Sequence, residues 1–222
     1  MKKKFWLDFS WVVFFILFFI FLKLCVIGFY LIPSPSMLPA FVPGDRVIAN
    51  KLAYGLTLPF FQTPLFQWST PQRGDVILFS FPHESEIYIK RVIGLPGDFI
   101  TFNEGIISIN REPLVLKNMI QQKENELELN LFEEGQPHFK KSHLVYMSKE
   151  PAQTFFESHR FLVPPGKLLV LGDNRDNSAD SRVHGYVNLK DVYGRASFVL
   201  FSTQGDSFFP NFRKGRTFIT IE

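Results

Sequence analysis

Cysteine is almost missing from this chain: Cys25 is the only one among 222 residues. No intramolecular disulfide can form, so any extracytoplasmic domain must be held by its core alone, and zinc sites built on cysteine are excluded. Charge is also thin. Charged residues make up 20% of the chain and the formal net charge of +3 is spread rather than blocked, which leaves nucleic-acid binding without compositional support. Neither a Gly-x-Ser-x-Gly elbow nor a His-Glu-x-x-His zinc helix occurs. No internal repeat is visible, and the length allows one sizeable domain with a smaller inserted one.

Phenylalanine, by contrast, is heavily used, with 27 copies, many of them in the first third. Met1–Lys4 is basic, and from Trp11 to Ile32 the chain is apolar apart from Lys23 and Gly28. At about 1.5 Å per residue that run spans about 33 Å as a helix, close to the ~30 Å hydrocarbon thickness of a bilayer. It reads as a retained single-pass anchor, with the Lys23 stem snorkelling toward an interface. The early lysines predict a cytoplasmic N-terminus with the remainder translocated. A cleaved signal peptide would have a shorter apolar run and a small-x-small site, which Ser34-Pro35-Ser36 matches only loosely.

Beyond Pro33 the pattern changes to short runs of Val, Ile, Leu and Phe between Gly, Pro, Asn and Asp. Asp75–Phe81, Ile87–Gly94, Phe99–Phe102, Ile106–Ile109, Leu168–Leu171 and Ala196–Phe201 read as strands of an all-β fold. Arg73-Gly74-Asp75 reads as a turn feeding a strand, and Leu95-Pro96-Gly97-Asp98 as another tight turn. Residues 117–160 are polar and charged, with Gln121–Asn130 suited to a short helix or a solvated hairpin. The predicted organisation is mainly β: a tip and transmembrane helix over 1–32, a β-rich domain over 33–116 and 161–222, and an insertion over 117–160. Leu58–Phe61 and Pro64–Phe66 form an apolar loop that either folds under the core or dips into lipid.

Three signals carry chemistry. Ser36 lies just beyond the apolar run, and a serine hydroxyl attacks only when a base takes its proton. Of the five histidines (His83, His138, His143, His159 and His184) none sits in a triad motif, although triads assemble in space. Lys90 offers another base. It shares a strand face with Tyr88 among apolar neighbours, and burial lowers a lysine pKa by disfavouring the charged form. Service near neutral pH requires a drop of about three units from ~10.4, on the order of 4 kcal/mol. The third signal is Gly172–Arg182, dense in Asx and Ser side chains. A calcium loop fails there, because Arg175 falls at a ligand position counted from Asp173 and the glycine and terminal glutamate are missing.

Ile-Pro-Ser-x-Ser-Met-x-Pro at Ile32–Pro39, Arg-Gly-Asp-Val at Arg73–Val76, Tyr88–Asp98 and Gly172–Arg182 together resemble, in order, the bacterial type I signal peptidases. The resemblance covers the anchor and most of the chain outside Lys117–Arg160. It implies a Ser-Lys dyad protease, needing no cofactor or metal, that removes signal peptides from exported preproteins at a membrane. Ser36 matches the nucleophile and Lys90 the general base. Ser34 matches the hydroxyl that shares the oxyanion hole with the Ser36 N–H, and Ser178 the serine that hydrogen-bonds the lysine. Asp180 and Arg182 match a structural ion pair. Ile32, Pro33, Met37, Tyr88 and Ile89 match pocket residues for small side chains at −1 and −3. Pro35 stands where the family often has glycine, and Ala40 where threonine is common. Proteobacterial members often carry two N-terminal helices; one is visible here. Specialisation for a single substrate, or an inactive anchored binding domain, are the readings that compete. The sequence does not give the oligomeric state.

Overall fold

The structure, a computed structural model, describes residues 2–58, 64–82, 84, 86–103, 106–124, 127–135, 139, 141–148, 159–204 and 211–221. The apolar loop expected over Leu58–Phe61 lies mostly outside them, as do His83 and His138.

The helix Lys2–Phe21 continues through one π-helical turn, Leu22–Val26. Phe9–Val26, with mean hydropathy 2.6, is long and apolar enough to cross a membrane. Its side chains are exposed nearly all round, the pattern of a helix that needs an apolar medium rather than a core. The apolar run does not stay helical to Ile32, however. Ile27–Leu31 is a strand, paired antiparallel with Asp45–Asn50 from Ile27↔Asn50 to Leu31↔Arg46. Gly28 weakens a helix while Ile27, Phe29 and Tyr30 suit a pleated surface, so the sheet captures the end of the run. The boundary expected at residue 32 therefore moves back to Val26. Lys51 fastens this junction: its N–H donates to Val26 O at 2.9 Å and its ammonium to Leu24 O at 3.1 Å.

The main sheet runs in the order Ile27–Leu31, Asp45–Asn50, Val192–Gln204, Val76–Phe79, Tyr88–Gly94, Lys167–Leu171, Val187–Asn188, all antiparallel. Every strand expected from sequence forms within a few residues of its predicted bounds. A second sheet holds His159–Leu162, Phe99–Asn103, Ile106–Ile109 and Glu112–Pro113. The two predicted turns form as well. Gly74 (φ +92°) and Gly97 (φ +90°) take the left-handed conformation, and Asp75 and Asp98 donate back to Gln72 O and Leu95 O.

The inserted segment resolves the helix-or-hairpin alternative in favour of strands. Leu116–Glu124, Leu127–Glu134 and His143–Ser148 form a three-stranded antiparallel sheet, with Gln121 opposite Asn130. Among the described residues, three apolar clusters fill the fold. One, around Phe41, Val47, Val76 and Leu78, lies beneath the segment that carries Ser36. Another, around Ile77, Phe79, Phe81 and Val92, lies on the Lys90 face of its strand.

Candidate active site

Ser36 belongs to a short segment pinned at both ends. Ile32 N donates to Asp45 O at 2.9 Å, extending the ladder of the first strand, and Pro35–Met37 then closes a single 3-10 turn. Pro35 opens that turn, the position where a ring-fixed φ fits and a missing N–H leaves nothing unpaired. The proline that departs from the family pattern is thus accommodated by the local geometry. Ser34 is extended (φ −118°, ψ 154°), and its Oγ lies 3.1 Å from Ser36 Oγ.

Lys90 reaches this segment from the strand Tyr88–Gly94. Its Nζ donates to Ser36 Oγ at 2.7 Å, and the lysine is only 4% exposed. Residues Tyr88 to Arg91 pair with Val76–Phe79 along one edge; on the other, Lys167–Leu171 pairs only from Arg91 onward. The edge of Tyr88–Lys90 beside Ser36 therefore carries no strand among the described residues.

Burial lowers the Lys90 pKa from its ordinary 10.5 to about 8. Asp180 and Asp173 pull the other way, and Arg182 lowers it further. Both carboxylates are already taken. Asp173 accepts Nε and Nη2 of Arg91 at 2.8 and 2.7 Å, and Asp180 accepts Nε and Nη2 of Arg182 at 2.7 Å each. Fork-to-fork pairing spends each negative charge on a guanidinium, so neither holds the ammonium charged and desolvation prevails. The neutral amine is thus far more accessible near neutral pH than for an ordinary lysine. The arrangement can therefore deliver an unprotonated amine, in hydrogen-bond contact with a hydroxyl, in a water-poor setting.

The remaining expected residues divide. Asp180 and Arg182 do pair, and Asp180 also accepts Gly172 N at 3.0 Å. Ser178 differs from expectation: its buried hydroxyl has no hydrogen-bond partner among the described residues, while Lys90 Nζ donates to Ser36 Oγ. Ile32 and Met37 are buried in one apolar cluster, with Ile89 packed against it. They form a floor to the site rather than open walls. Tyr88 sits apart, its ring 5.0 Å from Phe81 and 6.1 Å from Phe79, and Pro33 is exposed. His143 lies away from the dyad, with Nε2 3.0 Å from Glu134 Oε2.

Two features escaped the sequence reading. Arg91, beside the lysine, is fully buried by its bidentate pair. Gly172 is the other: a Cβ there would collide with Ser178 Oγ and with the backbone oxygen of Ser36. Gly172→Ala is expected to push the Ser36 segment out of line and lower turnover by about 10²-fold. Steady-state kinetics of the purified variant would check this, and turnover within twofold of the parent would refute it.

A family model described as "Signal peptidase, peptidase S26" matches residues 6–201. A signal peptidase I of Pseudomonas aeruginosa is 41% identical over 157 residues, covering 68% of this chain and 53% of its own length. One from Rickettsia bellii is 34% identical over 202 residues, covering 82% and 68%. One from Buchnera aphidicola is 30% identical over 213 residues, covering 76% and 67%. The chain thus spans between about half and two thirds of the length of these relatives. A crystal structure of a signal peptidase I from Enterococcus faecalis aligns over 57% of this chain and 97% of its own, at 28% identity and a TM-score of 0.36, too low to bear on the fold.

Proposed function

Because the chain belongs to the signal peptidase family, peptidase S26, we propose that it is a membrane-anchored serine endopeptidase that removes N-terminal signal peptides from exported preproteins. The observation that carries the reading is the 2.7 Å contact between a buried Lys90 amine and Ser36 Oγ. In this reading Phe9–Val26 spans the cytoplasmic membrane once, with the N-terminus inside and the β domain on the outer side. The exposed Phe29 and Leu31, immediately after the anchor, then face lipid.

The cleavage region of a preprotein adds as an extended segment beside the open edge of Tyr88–Lys90, main-chain bonds setting its register. Small side chains at −1 and −3 settle over the floor of Ile32, Met37 and Ile89, which leaves no depth for bulk. Neutral Lys90 takes the Ser36 proton as Oγ attacks the scissile carbonyl. The Ser36 N–H and the Ser34 hydroxyl stabilise the oxyanion. Lys90 then protonates the leaving amine, and water releases the acyl-enzyme. A nucleophile held a few residues beyond the anchor meets signal peptides where they leave the bilayer.

The test is cleavage of a preprotein by the full chain in detergent, with the product N-terminus sequenced. Cleavage after a small residue at the end of the signal peptide is expected; no cleavage would overturn the assignment. Ser34→Ala should lower kcat by about 10²-fold with KM little changed, as expected for one lost oxyanion donor. Unchanged kcat would remove Ser34 from that role.

A further inference from the structure

Behind the dyad, Asn174 grips the main chain of the nucleophile itself. Its N–H donates to Ser36 O at 3.1 Å and its side-chain Nδ2 to Pro35 O at 3.2 Å, and the residue is only 4% exposed. The Pro35 carbonyl belongs to the same peptide unit as the Ser36 N–H, and the Ser36 carbonyl to the next, so both peptides around the serine are held. Asn174 is seated in turn by the inserted three-stranded sheet. Tyr146 of that sheet donates its N–H to Asp173 O at 2.9 Å and accepts Arg175 N–H at 3.0 Å, so it brackets Asn174 as an isolated parallel bridge. Glu134, from the neighbouring strand, takes Arg175 in a buried two-bond grip, Nη1 to Oε1 at 2.7 Å and Nη2 to Oε2. Arg182 closes the loop by donating to Arg175 O at 2.6 Å.

We propose that Asn174 is a positioning residue for Ser36, and that the sheet over 116–148 serves the catalytic centre as its brace rather than as a peripheral insertion. The clamp fixes the turn Pro35–Met37, so that Oγ stays on Lys90 and the Ser36 N–H stays on the developing oxyanion. Only the side-chain donor at Asn174 depends on residue identity, since any residue supplies the N–H bond. Its loss therefore loosens the turn without removing a reacting group. An aspartate is the sharper probe, because it keeps the shape of asparagine but sets an acceptor oxygen against Pro35 O. The catalytic part of this inference rests on the proposed peptidase activity; the clamp does not.

The experiment compares the full chain in detergent with Asn174→Ala and Asn174→Asp by two readouts. Preprotein cleavage should lose roughly 10- to 100-fold in kcat with KM and the pH midpoint unchanged, the aspartate variant being the worse. Hydrogen exchange followed by mass spectrometry should show faster exchange at the Leu38 and Phe41 amides, which bond within the turn, while the strands Val76–Phe79 and Lys167–Leu171 keep their protection. Parental kcat and parental exchange in both variants would overturn the proposal. So would loss of kcat accompanied by faster exchange throughout the core, which marks a merely structural residue. If the parent chain cleaves no preprotein, the peptidase reading fails, and the exchange at Leu38 and Phe41 alone decides the clamp.

Discussion

Ser36→Ala is expected to reduce preprotein cleavage by on the order of 10⁴-fold or more, with Lys90→Met just as damaging and the double variant no worse than either. The equality follows from the geometry. One 2.7 Å hydrogen bond joins the two groups, so each is useless without the other: an amine with no hydroxyl to deprotonate, or a hydroxyl with no base. Groups that act as a unit do not contribute additively, and what activity survives comes from binding and the oxyanion donors. Single-turnover cleavage measures all three variants. Either single variant within tenfold of the parent, or a double variant far below both, would mean that the dyad is not the reacting pair. Lys90→Met also has a readout outside activity. Holding the ammonium in a site where its pKa is about 8 costs about 3 kcal/mol at neutral pH relative to its ordinary 10.5. The folded state thus binds fewer protons than the unfolded state between pH 8 and 10.5, so the parent gains stability as pH rises through that window. The methionine variant lacks that gain.

Glu134→Gln is expected to lower unfolding free energy by about 3–5 kcal/mol, the cost of breaking a buried ion pair by removing one partner. Glu134 and Arg175 are both buried, and two hydrogen bonds join them. Burial on its own would raise the Glu134 pKa, but the Arg175 guanidinium outweighs it and holds the carboxyl well below the usual carboxylate range. Removing the negative charge leaves a guanidinium that cannot neutralise itself and has no route to water. At the scale of a domain this size, the loss corresponds to a fall of roughly 10 °C in the thermal midpoint. A sign follows for pH as well. A depressed carboxylate contributes its stability above the unfolded pKa and loses it as pH falls, so the gap between parent and variant should shrink in acid. Thermal unfolding at pH 7 and pH 4 measures both effects, and a midpoint at pH 7 within about 2 °C of the parent would show that the pair is not holding the loop.

The sequence predicted these elements unevenly. Strands such as Phe99–Asn103 and Ile106–Ile109 were legible because β-branched and aromatic runs end at strong turn residues, and Gly97 marks its turn by needing a left-handed φ. Ser36 and Lys90 were weak singly and became readable through flanking residues at motif spacing. The anchor was legible as an apolar run but not where it ends, since composition alone does not reveal that Asp45–Asn50 pairs with Ile27–Leu31. The inserted sheet was only partly legible: Leu127, Leu129 and Leu131 alternate with polar residues, but Leu116–Glu124 shows no such alternation and left helix and hairpin both open. The contacts that bind it to the site, Glu134 to Arg175 and Tyr146 to either side of Asn174, join residues far apart in the chain. For Ser178 the motif position implies a bond to Lys90, whereas its hydroxyl has no partner among the described residues.

The pH dependence of kcat/KM for preprotein cleavage tests the Ser36–Lys90 account most directly, since it reports the ionisation of the free enzyme's base. Activity requires the neutral amine, so the rate should climb about tenfold per pH unit well below the midpoint and level off above a midpoint near pH 8. A profile flat from about pH 6 to 9, or one that falls as pH rises through 8, would contradict a lysine base at position 90.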